Sequence, residues 1–144
     1  MGQVIETGGP KLQQVDVTLS SAELLALYTT PKSLVAAQGA GTIVEFVSAL
    51  LAYEYGSVVY TVGTAGNLQV KYTDGSGAAA SSTRACTGFI DQASDQLSLI
   101  EKVDGTVVPV ANAALVLTLA TANPTSGDSP INISVYYRVH QTNL

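Results

Sequence analysis

The chain predicts an all-β fold: an antiparallel β-sandwich, jelly-roll-like, of about eight strands with one or two short helical turns. Three observations predict it. Residues 113–120 and 131–140 both alternate apolar with small or polar side chains, the period of two that sends one set of side chains to each face of a strand. Turn residues recur at the spacing of about 8–12 positions expected of a sandwich or barrel. Strand patterns never alternate with long helical ones, so a parallel β-α-β sheet has no support.

Residues 1–14 read as an N-terminal arm, because Gly8, Gly9 and Pro10 interrupt any regular element. Residues 15–144 read as one sandwich domain. Within it, residues 15–19 alternate and form a first strand. Ser20 followed by Glu23 has capping-box spacing, and Leu24, Leu25 and Leu27 supply an apolar face. One or two helical turns are expected there, ending near Pro31, which disfavours αR in its predecessor. Residues 32–37 form a short strand. The Gly39 and Gly41 segment after it lacks the spacing of a phosphate loop and reads as a turn.

Residues 42–55 are the longest strand candidate. Strict alternation places Ile43, Glu45, Val47, Ala49 and Leu51 on one face and Val44, Phe46, Ser48, Leu50 and Ala52 on the other. Residues 57–62 and 67–72 follow as strands, the second with Leu68, Val70 and Tyr72 on its dry face. A helical turn is expected over 84–92, with Phe89 and Ile90 inward. Residues 96–103 form a strand in which Leu97 and Leu99 alternate with Ser98 and Ile100. Asp104 and Gly105 signal a hairpin whose return strand is 106–110.

Composition narrows function. The 144 residues are 47% hydrophobic and only 12% charged, about half the charge of an ordinary domain. Such a surface is expected to be covered, most simply in a homo-oligomer or a larger assembly. The net charge is −5. The six basic residues, Lys11, Lys32, Lys71, Arg84, Lys102 and Arg138, are scattered, which argues against direct nucleic-acid binding. No apolar run reaches the ~20 residues of a membrane helix. The N-terminus has no signal-peptide pattern, so synthesis in a cytoplasm is expected. One cysteine, Cys86, allows no internal disulfide and is expected buried and inert.

Catalytic sets are missing. The single histidine, His140, would have to serve any Ser-His-Asp triad, and no nucleophile-elbow motif accompanies it. It reads as an exposed residue ending the last strand. One His and one Cys build no zinc site without several carboxylates. Glu45, Glu54, Asp91 and Asp95 are the carboxylates that could do glycosidase chemistry, but the chain has no Trp to offer a sugar. No catalytic residue, cofactor or metal is expected, and the chain is not expected to be an enzyme. Glu45 interrupts an apolar face and needs either water or a basic partner. Tyr53, Tyr55 and Tyr136 are residues of a type favoured at interfaces. With Val4, Ile5 and Leu12 of the arm and Glu45, they are the interface candidates.

Residues 17–27 (Val-Thr-Leu-Ser-Ser-Ala-Glu-Leu-Leu-Ala-Leu) and 30–41 (Thr-Pro-Lys-Ser-Leu-Val-Ala-Ala-Gln-Gly-Ala-Gly) carry a resemblance. Residues 66–72 (Gly-Asn-Leu-Gln-Val-Lys-Tyr) and 135–139 (Val-Tyr-Tyr-Arg-Val) extend it. Together they resemble tailed-phage capsid decoration proteins, also called cement or head-fibre-type proteins. The resemblance spans the sandwich and leaves out the arm. It implies a jelly-roll that trimerises, sits on the outer capsid surface of the virion and clamps neighbouring major capsid proteins. The alternative is a phage tail- or fibre-associated module that recognises host surface glycans.

Overall fold

The computed structural model describes residues 9–144. Eight strands form two four-stranded antiparallel sheets: β1 (Gln13–Leu19), β2 (Lys32–Val35), β3 (Thr42–Tyr53), β4 (Asn67–Tyr72), β5 (Arg84–Ala85), β6 (Gln96–Glu101), β7 (Leu115–Leu119) and β8 (Ile131–Gln141). The first sheet has the order β1-β8-β3-β6 and the second β2-β7-β4-β5. The pairs β1·β8, β2·β7, β3·β6 and β4·β5 are nested, as if one long two-stranded ribbon had been wound into two layers. That is the jelly-roll arrangement. The core lies between the layers, from Val44, Phe46, Leu51, Ile133 and Val135 on one side to Leu68, Val70, Leu115 and Leu117 on the other.

Helix α1 (Ser21–Leu25) lies where the chain passes from the first sheet to the second. Its capping box is complete: the Glu23 N–H donates to Ser20 Oγ at 3.2 Å, and the Ser20 N–H donates to Glu23 Oε1 at 3.0 Å. The second Glu23 oxygen pairs with Lys32, and that bond, with the cap, holds the Glu23 carboxyl below its usual range. Leu24 and Leu27 enter the core.

Strand β3 departs from strict alternation. Its register against β8 shifts between Phe46 and Ser48, so Val47 is an extra residue. A bulge of this kind exchanges the faces beyond it. Val44 and Phe46 point inward before it, and Ala49, Leu51 and Tyr53 after it, while Leu50 and Ala52 face out. The unbroken alternation expected from the sequence is corrected accordingly.

Two expected strands are absent. Residues 57–62 form no sheet strand. Their backbone donors go elsewhere: Ser57 and Val58 N–H donate to Asp128 Oδ1, both at 3.0 Å, and Thr61 exchanges two bonds with Thr125. Residues 106–110 form no strand, and among the described residues none exchanges backbone bonds with them; Pro109 also lacks a donor. Between 84 and 92, the chain adds the two-residue strand β5 before turning at 87–91, and Phe89 and Ile90 are inward as expected. The first strand begins two residues earlier than read, at Gln13.

Candidate functional site

The two outer faces of the sandwich differ. On the second sheet, all five residues of β7 are buried. The Gly75 backbone and Pro31 close over Thr118 there: a Cβ on Gly75 would stand 3.1 Å from Thr118 Oγ1 and 3.4 Å from Pro31 Cγ. On the first sheet, the outward residues remain half-buried or exposed. The registers place them in rows. Thr18, Asn132, Ala52 and Leu97 form one row, Asp16, Ser134, Leu50 and Leu99 the next, and Gln14, Tyr136, Ser48 and Glu101 the third. Four strands at about 4.8 Å spacing make a plate roughly 15–19 Å wide. Its β6 side is apolar, with Leu97 73% exposed, Leu99 60% and Leu50 37%. Its β1 side is polar, with a Thr18 Oγ1 bond to Asn132 Oδ1 at 3.1 Å.

The same face ends in a charged cluster. Glu45 on β3 lies across from Arg138 on β8. Arg138 Nη1 donates to Glu45 Oε2 at 3.2 Å, and His140 Nε2 lies 2.7 Å from Glu45 Oε1. The basic partner that Glu45 needed is therefore supplied within the fold. All three side chains are more than a third exposed, so the pairs are worth at most about 1 kcal/mol each. His140 is half-buried on β8 rather than standing free at its end.

Next to this cluster is a groove of about 280 Å³, lined among others by Glu45, Tyr72, Lys102, Val107 and His140. A carboxylate on an imidazole is two-thirds of a triad. The lining offers no Ser, Thr or Cys as the third member, and its one hydroxyl, on Tyr72, donates to the Val44 carbonyl at 2.6 Å. Among the described residues, no three His, Cys, Asp or Glu side chains gather as a metal would need.

The other carboxylates hold loops. Asp91 Oδ1 accepts from the Gly88 N–H at 2.8 Å, and Asp95 Oδ1 from the Tyr55 N–H at 2.8 Å. Glu54 accepts from the Asn132 amide. Asp128 ties Ser57 and Val58 to the loop before β8, and the Gly56 N–H donates to Ser129 Oγ at 2.8 Å. Bonds from the Ser57 hydroxyl and from the Ser57 and Val58 N–H groups lower its pKa to about 2. Cys86 is buried, which pushes its thiol up to about 11 and leaves it a poor nucleophile.

The interface candidates separate. Val4 and Ile5 lie outside the described residues. Leu12 is 52% exposed just ahead of β1. Glu45 and Tyr136 lie on the outer face of the first sheet. Tyr55 is half-buried, and its hydroxyl donates to the Ser57 carbonyl at 2.9 Å. Tyr53 is in the core, its ring centroid 6.0 Å from Phe89 and 6.4 Å from Tyr60, so it is not a surface residue. Leu50, Leu97 and Leu99 were not singled out by sequence. Residues 97, 99 and 100 are apolar on both parities, and only the sheet partner decides which set faces out.

No protein-family model matches the chain, and no curated protein matches it. Among solved structures, a chain of the cyanophage Pam1 capsid asymmetric unit is similar. The identity is 14%, over 96% of this chain and 91% of that one, with a TM-score of 0.47. A superposition this loose carries no argument about function.

Proposed function

We propose that this chain is a capsid decoration (cement) protein, a non-enzymatic homotrimer that binds the outer surface of a phage head through its major capsid protein. The observation that carries the reading is the plate on the first sheet. Its exposed leucines and small residues stand in rows across four strands, and a pocket of about 500 Å³ opens at the charged end, lined by Ser48, Leu99, Glu45, Glu101 and Arg138. A broad face with exposed leucines gains by burying area against another broad surface. The strand motifs that resemble decoration proteins, and the net charge of −5, are in keeping with an exterior position. The mechanism is mass action: a ligand that binds only the assembled shell stabilises it. Several weak contacts per trimer add through multivalency.

The test adds purified protein to undecorated heads of the phage that encodes it. The expected result is saturable binding and a higher temperature of shell disruption. Heads that neither bind it nor gain stability overturn the reading. Deleting residues 2–14 asks whether the arm takes part, and native mass measurement asks for the trimer. One observation favours the glycan-binding alternative. Tyr28 is exposed beside an open groove that Thr29, Asp74 and Ser76 also line. Binding on a glycan array that Tyr28→Ala abolishes would select that alternative.

A further inference from the structure

The two sheets end in four edge strands, and three of them are protected. β2 has four residues, starts at Lys32 and is broken by a register shift between Ser33 and Val35. β5 has only two residues. β1 carries the exposed Asp16. Short edges, charges and irregularities are the devices that stop sheets from pairing edge to edge. β6 has none of them from Gln96 to Ile100, a run of Gln-Leu-Ser-Leu-Ile.

The backbone of β6 is also open on that side. The Glu101 carbonyl accepts from the Ser82 N–H at 2.9 Å, and the Val103 N–H donates to the Ala80 carbonyl at 3.1 Å. Residues 101 and 103 therefore face away from β3. Antiparallel ladders alternate, so the N–H and C=O groups of Leu97 and Leu99 face away too. Among the described residues, no hydrogen bond from outside β6 and β3 reaches these four groups.

We propose that β6 is a homotypic docking edge: a second copy of this chain adds its own β6 antiparallel to it, across a two-fold axis through Ser98. This register pairs the free groups only with one another. With the axis on Ser98, Leu97 of each copy lies opposite Leu99 of the other, and both are hydrogen-bonded pairs. All four open groups on each strand are then satisfied. The contact is isologous, as two-fold symmetry requires. Four leucine side chains meet on the outer face, continuous with Leu50 on β3. Moving the axis to Leu99 would set Leu97 against Glu101, whose carbonyl already serves Ser82.

The pairing spans Gln96 to Ile100 and stops short of Glu101, whose edge Ser82 already occupies; each copy carries a net charge of −5, so added salt strengthens the contact by screening. One strand edge buries much less than the roughly 800 Å² per partner of a stable interface. Pairing is therefore concentration-dependent and operates where copies are crowded. It concerns two copies of the chain alone and stands or falls apart from the shell reading.

Ser98→Cys tests it. On the axis, two facing residues in a non-hydrogen-bonded pair have Cα atoms about 4.5 Å apart, within disulfide reach. Native Cys86 is buried and does not compete. Mild oxidation of Ser98→Cys is expected to give a covalent dimer, while Thr18→Cys on the β1 edge stays uncrosslinked. In the unmodified protein, hydrogen exchange of the Leu97 and Leu99 amides is expected to slow at least tenfold between micromolar and millimolar concentration. Leu99→Lys, at an exposed site that tolerates it, is expected to abolish that slowing. Ser98→Cys crosslinking no faster than Thr18→Cys overturns the proposal, and so does exchange at Leu97 and Leu99 that ignores concentration.

Discussion

Replacing Tyr72 with Phe removes one oxygen from the middle of the sandwich and leaves the ring. Tyr72 is on β4 of the second sheet, and its hydroxyl donates at 2.6 Å to the Val44 carbonyl on β3 of the first. The acceptor has no strand partner on that side. The Asn112 N–H donates to the Thr42 carbonyl, which shows that this end of β3 turns its alternate groups away from β8. β6 pairs with β3 only from Ser48 onward, so it does not reach Val44. Both residues are about 1% exposed, so loss of the hydroxyl leaves a buried acceptor short of its partner. A typical hydrogen bond is worth about 1 kcal/mol net, and a buried acceptor left unpaired costs about 1–3 kcal/mol. The loss should therefore lie in the range of about 1–3 kcal/mol. With a urea m-value near 2 kcal/mol/M, the midpoint falls by about 0.5–1.5 M at unchanged m. The assay is equilibrium urea unfolding of wild type and Tyr72→Phe followed by circular dichroism. A midpoint that does not move would show that the hydroxyl bridge contributes nothing and that the two layers are held by apolar packing alone.

Three further outcomes follow from the same geometry. Gly77→Ala places a Cβ 1.7 Å from the Tyr72 backbone oxygen, so the loop after β4 must move; thermal unfolding should show a loss of several kcal/mol, among the largest of any single substitution. Ser20→Ala removes the cap of α1 and should lower Tm by about 2–4 °C, the equivalent of ~1 kcal/mol. The third outcome is pH dependence. The Asp128 pKa is lowered to about 2, so its stabilisation is fully present above the unfolded carboxylate value near 4 and is lost as pH falls through about 2. Burial raises Tyr53, Tyr60 and Tyr72, so their contribution is present below about pH 10 and is lost as pH rises above it. Urea midpoints from pH 2 to 11 should trace a plateau bounded on both sides, and Asp128→Asn should flatten the acid limb.

Local signals were enough for most of the fold. The Ser20–Glu23 box is a contact between near neighbours and needs no tertiary partner. The alternation in β1, β4 and β8 is strong because one face of each is dry. Glu45 was legible as a charge in need of a partner, because an unpaired carboxylate on an apolar strand is costly wherever the strand lies.

Pairing was what the sequence could not supply. Residues 57–62 and 106–110 have strand-like composition, but a strand exists only where a neighbour accepts its backbone bonds. Asp128 captures the first segment, and no described strand bonds the backbone of the second. Val47 is an ordinary strand residue, and only the mismatch between β3 and β8 makes it a bulge that turns Leu50 outward. Tyr53 was read as an interface residue, and the same change of face puts it in the core. The all-β class and the capped helical turn were thus set by residue pattern alone. The exposed leucine plate and the open β6 edge were decided by tertiary structure, since which face is dry and which edge is bare depend on contacts made far along the chain.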